Sequence, residues 1–332
     1  MCPKHLRLLA YSLGHFWVDF SCALLMFSRL SGQSGWALCV LLYNFCAFAL
    51  QMPVGLLADR WERKGRTAAL GCGLAALGWV LPPFLAAVIA GVGNACFHVG
   101  GGIQVLNDGG DRAAPLGVFV SPGAFGIFFG TLLGSRSAFP GWLTGVGLLL
   151  FALSFVLLRT EIGDSLEDPP LDRNILWALA CCFWVVVLRS YLGMVLTFPW
   201  KTGGWTIGLV CALVLGKAAG GFLGDRLGMI PAAALSLGLS AVLFLLSGSP
   251  IAGAGAVFLF NMTMPITLWA AARLLPRQKG FAFGSLTFAL FLGFLPLWLG
   301  WPTLLSGGSG YAAGALCSLA LLVLGLRWGR LS

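Results

Sequence analysis

Long apolar runs, broken at short intervals by glycine, proline and charged residues, occupy the chain almost from end to end. A helix needs about 20 apolar residues, rising 1.5 Å each, to cross a ~30 Å hydrocarbon core. Such runs recur near 8–28, 36–58, 67–82, 84–106, 115–135, 141–158, 174–199, 205–224, 229–247, 251–275, 281–300 and 311–326. Backbone groups in lipid must be satisfied inside the spanning structure, and stretches such as 145–158 lack the two-residue alternation of a membrane barrel, so the spans read as helices. The pattern predicts an all-α integral membrane protein of about 12 transmembrane helices.

Composition agrees. Hydrophobic residues make up 59% of the 332 and charged residues only 9%, against roughly 25% charged in a soluble domain. No water-soluble fold hides that much apolar surface. Lys4 and Arg7 before an apolar run resemble the start of a signal peptide, but the run is long, contains His15 and Asp19, and is followed by further spans, so an uncleaved first helix is expected. The ten cysteines lie mostly inside apolar runs without metal-ligand spacing and read as small core residues; no metal or cofactor is expected.

The net charge of +9 has a topological explanation. With both termini in the cytoplasm, fifteen of the twenty basic residues fall on the inner side, Arg29, Arg136 and Lys201 fall outside, and Arg189 and Lys217 lie within spans. That asymmetry is the positive-inside pattern of a multi-pass protein, here assigned to the plasma membrane of a bacterium (the inner membrane). Anionic lipid accounts for the basic surplus, so membrane lipids are expected partners and nucleic acid is not. A monomer is expected.

The acid- and proline-rich segment 159–173, RTEIGDSLEDPPLDR, reads as a cytoplasmic linker dividing a six-helix half, 1–158, from a second, 174–332. GLLADR at Gly55–Arg60 recurs as GFLGDR at Gly221–Arg226, 166 residues on and again after the second span of its half. Asn94 and Asn261 recur at nearly the same offset. The repeat predicts two pseudo-symmetric six-helix bundles.

GLLADRWERKGR, at 55–66, resembles the cytoplasmic signature of the major facilitator superfamily: a glycine, a small residue, Asp-Arg and a basic cluster between spans 2 and 3. Glu62 stands where the family pattern favours glycine; the second copy keeps Gly228 but lacks the trailing arginines. The glycines Gly55 and Gly221 let helices approach closely, while Asp59 and Asp225 at helix ends can pair with Arg60, Arg63 and Arg226 or face a neighbouring helix N-terminus, latching one conformation. A narrower resemblance, of GHFWVDF at 14–20 and GNACFHVGGG at 93–102, is to the first and fourth spans of fosmidomycin-resistance-type exporters, although Val99 replaces the proline common after the fourth-span histidine. The resemblance implies a proton-coupled exporter of a small organic compound.

Charged groups near the bilayer midplane are expensive and usually functional. Asp19, His98 and Arg189 each fall roughly 15–20 Å from a span end. Asp19 is the one acidic residue inside a predicted span, and His15 lies a turn earlier on the same helical face, so this pair is the candidate for proton coupling. Arg189 stays charged and needs a carboxylate, carbonyls or an anionic ligand; Asp19 is one candidate partner, and a solute anion competing for Arg189 would free Asp19 to take a proton. His98, Asn94 and Asn261 are candidate solute contacts, the last beside Pro265, where the helix should be irregular. Trp17 and Trp269 are candidate stacking groups for solute, whereas most other tryptophans sit near span ends as interfacial anchors.

Gly126, Gly130 and Gly134 in span 5 and Gly216, Gly220 and Gly224 in span 8 repeat every four residues. Two such smooth faces are expected to meet each other. The function expected from all this is alternating-access transport of a small organic solute coupled to protons, with symport or facilitated import of a small anionic metabolite as the alternative. An intramembrane enzyme using His15, Asp19 and His98 as metal ligands or an acid–base set is a rival from another class, as is a sensor that binds without moving solute. The chain has no HExxH, no GxSxG and no Walker loop to support the enzyme.

Overall fold

The computed structural model describes residues 3–60, 64–158 and 172–331. Within them the chain is all-helical, with twelve principal helices: α1 Lys4–Leu30, α2 Trp36–Asp59, α3 Lys64–Leu77, α4 Pro83–Gly109, α5 Ala114–Ser135, α6 Gly141–Leu157, α7 Arg173–Val195, α8 Gly204–Leu227, α9 Met229–Leu245, α10 Pro250–Leu274, α11 Lys279–Trp298 and α12 Gly307–Trp328. Each predicted span has its helix. Nine are long and apolar enough to cross a bilayer by themselves, and α6 and α9 are shorter apolar helices. The predicted linker falls mostly at 159–171, outside the described residues, as does Arg63.

Local chemistry sets the helix ends. Proline occupies the first turn of α4, α5 and α10, where the missing N–H costs nothing. Asp172 caps α7 by accepting the Ile175 N–H at 2.8 Å. Arg29, assigned from sequence to an outer loop, is a structural residue, because its guanidinium donates to the Gly78, Trp79 and Leu81 carbonyls at 3.2, 2.7 and 2.7 Å and closes the end of α3. One face of α6 presents Leu149, Leu150, Leu153 and Leu157 at 56–70% exposure, an apolar stripe suited to acyl chains and not to water.

Two helices are interrupted. In α10 the helical pattern stops at Met262, between Asn261 and Thr263. Pro265 explains it, because its ring displaces the carbonyl four residues earlier, that of Asn261. In α5 the chain bends at Ser121, just before Pro122, and the Ser121 hydroxyl donates back to the Gly117 carbonyl at 2.6 Å.

Packing divides the chain into two compact units. The first takes the described residues of Met1–Gly110, Pro122–Ser165 and Arg277–Phe288; the second takes those of Asp111–Ser121, Leu166–Pro276 and Ala289–Ser332. The two short segments that depart from chain order begin at 111 and 277, a difference of 166, which is the offset of the GLLADR and GFLGDR repeat. The duplication is thus written into packing as well as sequence.

Each glycine triplet packs closely against a helix of its own unit. Added Cβ atoms at Gly126 and Gly130 would run into the Phe16 and Phe20 carbonyls of α1, and one at Gly134 would crowd the Leu24 carbonyl. Those at Gly216 and Gly220 would strike the Phe258 and Met262 carbonyls of α10, and one at Gly224 would crowd Met229 and Ile266. Every fourth glycine meets every fourth residue of a helix in its own unit, the geometry by which small residues seat a neighbouring helix. The first segment of α5 does touch α8, within the second unit, but through Gly117 against Lys217 and Ala218 and through Gly221 against Ala113 and Ala114.

Candidate functional site

The polar core of the first unit lies on the seam between α1 and α4. His15 and Asp19 are one turn apart on α1; Asn94 and His98 are one turn apart on α4, and the two pairs interleave. Asn94 Nδ2 donates to Asp19 Oδ1 at 2.9 Å, His15 Nε2 lies 3.2 Å from Asp19 Oδ2, and His98 Nε2 lies 3.6 Å from Asp19 Oδ1. The two imidazoles meet through their Nε2 atoms at 2.8 Å. All four residues are at most 9% exposed.

Hydrogen-bond chemistry constrains this cluster. His98 Nδ1 lies 2.8 Å from the Asn94 carbonyl, which can only accept, so His98 carries its hydrogen on Nδ1. When His98 is neutral its Nε2 is therefore a lone pair, and His15 supplies the hydrogen between the rings. One further proton makes an imidazolium beside the Asp19 carboxylate. The cluster is thus a place where a proton can be held or passed.

The sequence missed a fifth member. A Cβ at Gly123, just past the bend in α5, would overlap both His15 Nε2 and Asp19 Oδ2. Only glycine leaves these atoms room, and the Ser-Pro-Gly run at 121–123 was the available signal. A second omission is Asp108. Arg7, read from sequence as a surface charge, is 1% exposed and clamps Asp108 with two bonds, Nε to Oδ2 at 2.9 Å and Nη2 to Oδ1 at 2.8 Å, while Gln104 adds a third at 3.1 Å. The predicted span ends at 106, whereas α4 runs to Gly109 and carries Asp108 with it.

In the second unit, Arg189 on α7 is 7% exposed, and its hydrogen-bond partner is Thr267 Oγ1 on α10, at 3.4 Å. Among the described residues of that unit it pairs with no carboxylate. Asn261 turns back on its own helix, donating to the Val257 carbonyl at 2.8 Å. Trp269 donates to the Asp111 carbonyl at 2.8 Å, and Arg273 pairs with the Asp111 carboxylate, so together they brace the entry to α5. Trp17 donates its indole N–H to the Thr144 carbonyl at 3.2 Å, and its ring fills the space beside Gly147 on α6. Two residues along a helix is about 200°, which turns Trp17 away from the face shared by His15 and Asp19.

The repeated Asp-Arg motifs make matching contacts. Asp59 accepts the Gly280 and Phe281 N–H groups at the start of α11, at 2.7 and 2.9 Å, and Gly55 lies against the Gly280 carbonyl. Asp225 accepts the Ala113 and Ala114 N–H groups at the start of α5, at 2.7 and 3.0 Å, with Gly221 against Ala113. Each carboxylate thus caps the free N–H groups and positive dipole end of another helix. Of the two contacts foreseen for these carboxylates, the helix N-terminus is the one seen in both copies; Arg60 and Arg226 are exposed. Replacing Asp59 by Asn keeps the shape and removes the charge, at a cost of about 1 kcal/mol. Amide exchange at Gly280 and Phe281 should accordingly rise about fivefold.

No protein-family model and no curated protein matches the sequence. Solved structures do match in fold. A single-site variant of the Escherichia coli fucose:proton symporter FucP aligns with a TM-score of 0.70 at 17% identity, over 96% of this chain and 97% of that one. The human organic anion transporter MFSD10 (TETRAN) aligns at 0.61 and 15%, over 100% and 98%. A bacterial homologue of the iron transporter ferroportin, in an outward-facing state, aligns at 0.61 and 16%, over 98% and 99%. The chain has the fold of the major facilitator transporters.

Proposed function

We propose that the chain is a secondary active transporter of the major facilitator type that exports a small organic solute by alternating access, coupled to protons. The observation carrying this reading is the buried Asp19–His15–His98–Asn94 cluster: ionisable groups are costly inside an apolar bundle, and these four are oriented by one another so that a proton has a defined seat. Asp19 and His15 carry the proton. Arg189, His98, Asn94 and Asn261 contact solute, with Arg189 taking an anionic group; Trp269 belongs to this set only through its neighbourhood on α10. The fosmidomycin-resistance-type resemblance of the first and fourth spans supports the outward direction. In this reading the halves 1–158 and 174–332 alternate about the linker 159–173, the caps at Asp59 and Asp225 latch one state, and both termini face the cytoplasm of a bacterial cell.

A second reading, proton symport of a small anionic metabolite, is favoured by Arg189, which is buried without a carboxylate from its own unit and is therefore suited to an anion. The fold is compatible with both, since its neighbours include a proton symporter and an organic anion transporter. Purified protein in liposomes with an imposed pH gradient separates the readings when screened against drugs and organic anions. Solute moving opposite to the proton flow marks antiport, and solute moving with it marks symport. Solute binding without flux under any gradient would overturn transport altogether.

A further inference from the structure

We propose that His15, Asp19 and His98 form a binding site for a first-row divalent cation of the zinc class. Three donors on two helices converge here: His15 Nε2 and His98 Nε2 are 2.8 Å apart, and they stand 3.2 and 3.6 Å from the two oxygens of Asp19. Around a metal at about 2.1 Å, neighbouring donors are separated by about 3.4 Å in a tetrahedron and about 3.0 Å in an octahedron. One ligand atom from each of the three residues lies within 4.8 Å of the others, close enough for small adjustments to close them around one ion. Two imidazoles and a carboxylate are the donor set that zinc and its neighbours accept, and three protein ligands leave a further position open.

The surroundings orient His98 and Asp19 as a metal requires, and the ion would replace the hydrogen that His15 Nε2 carries between the rings. The Asn94 carbonyl takes the His98 Nδ1 hydrogen at 2.8 Å, which leaves the Nε2 lone pair facing the centre. The Asn94 amide meanwhile donates to Asp19 Oδ1 at 2.9 Å and fixes the carboxylate. One residue thus supplies outer-shell bonds to two ligands, the arrangement that tunes imidazole and carboxylate ligands. Gly123 keeps side-chain bulk away from His15 Nε2 and Asp19 Oδ2. The three side chains are 7, 9 and 11% exposed. None of this depends on the transport reading.

The test uses the full chain without a polyhistidine tag, stripped with EDTA in detergent and titrated with cobalt(II), then with zinc. One cobalt per chain is expected, with the absorption of a nitrogen–oxygen site of low coordination number, displaced by zinc. X-ray absorption of the zinc form should show imidazole and oxygen neighbours and no sulfur. Asn94→Ala should weaken binding about 10–100-fold. His98→Ala and Asp19→Asn should abolish it, and His5→Ala, at an exposed histidine outside the cluster, should change nothing. Absence of saturable binding, sulfur in the first shell, or unchanged affinity in the Asn94 and Asp19 variants would overturn the site, and the near-isosteric Asp19→Asn carries the test if the alanine variants fail to purify. Solute flux measured in EDTA reports the transport reading alone, so either inference can fail without the other.

Discussion

Asp19→Asn should reduce solute flux driven by a pH gradient to the level of protein-free liposomes while leaving solute counterflow in place. The amide is nearly isosteric with the carboxylate and can still accept the Asn94 hydrogen bond, so α1 and α4 should keep their seam. What disappears is the negative charge that faces both imidazoles at 3.2 and 3.6 Å. Without it the cluster has no anion to balance an imidazolium in an apolar bundle, where an isolated charge is strongly disfavoured. Driven flux and counterflow, measured on the same preparation, separate lost coupling from lost folding. Unaltered driven flux with an unaltered pH response would remove Asp19 from the mechanism.

The largest expected effect on stability lies elsewhere, at Arg7 and Asp108. Removing one partner of a buried, doubly hydrogen-bonded pair strands the other charge, at a cost of about 3–5 kcal/mol. Arg7→Met and Asp108→Leu should each destabilise the protein by that order, whereas the double substitution should recover most of the loss, because two well-packed apolar side chains often replace a buried ion pair at little cost. A double-mutant cycle on unfolding in detergent measures the coupling directly. If each single change cost only what a surface charge costs, Arg7 would be a topogenic residue after all, and its 1% exposure would lack an energetic counterpart.

The membership of the polar core was only half legible beforehand. His15 and Asp19 share a face by their spacing, as do Asn94 and His98, and helical periodicity is enough to say so. That the two faces meet is a long-range fact, set by which helices pack together, and no local pattern carries it. Gly123 escaped notice for the same reason: its importance lies in what a Cβ would strike on another helix. Arg7 was misread and Asp108 passed over because each sits close to the end of an apolar run, where hydropathy alone places charges at the surface; their pairing is visible only when α1 and α4 are laid side by side. The glycine triplets show the converse failure. Their spacing identified them as close-packing faces, but a smooth face accepts any suitable neighbour, and α1 and α10 are the helices that occupy them.

By itself the sequence determined the solvent, the helices and the duplication. Apolar runs of bilayer length leave backbone no alternative to helix, proline and glycine punctuate them locally, and an offset of 166 residues is countable in one dimension. Tertiary structure decided the partners: which helix fills each glycine groove, which N-termini Asp59 and Asp225 cap, and that two histidines, an aspartate and an asparagine become one cluster. The physical reason is range. Helix formation and burial in lipid are governed by residues within a turn or a span, whereas these contacts join residues from about 40 to more than 200 positions apart, and their energies exist only once the bundle has closed around them.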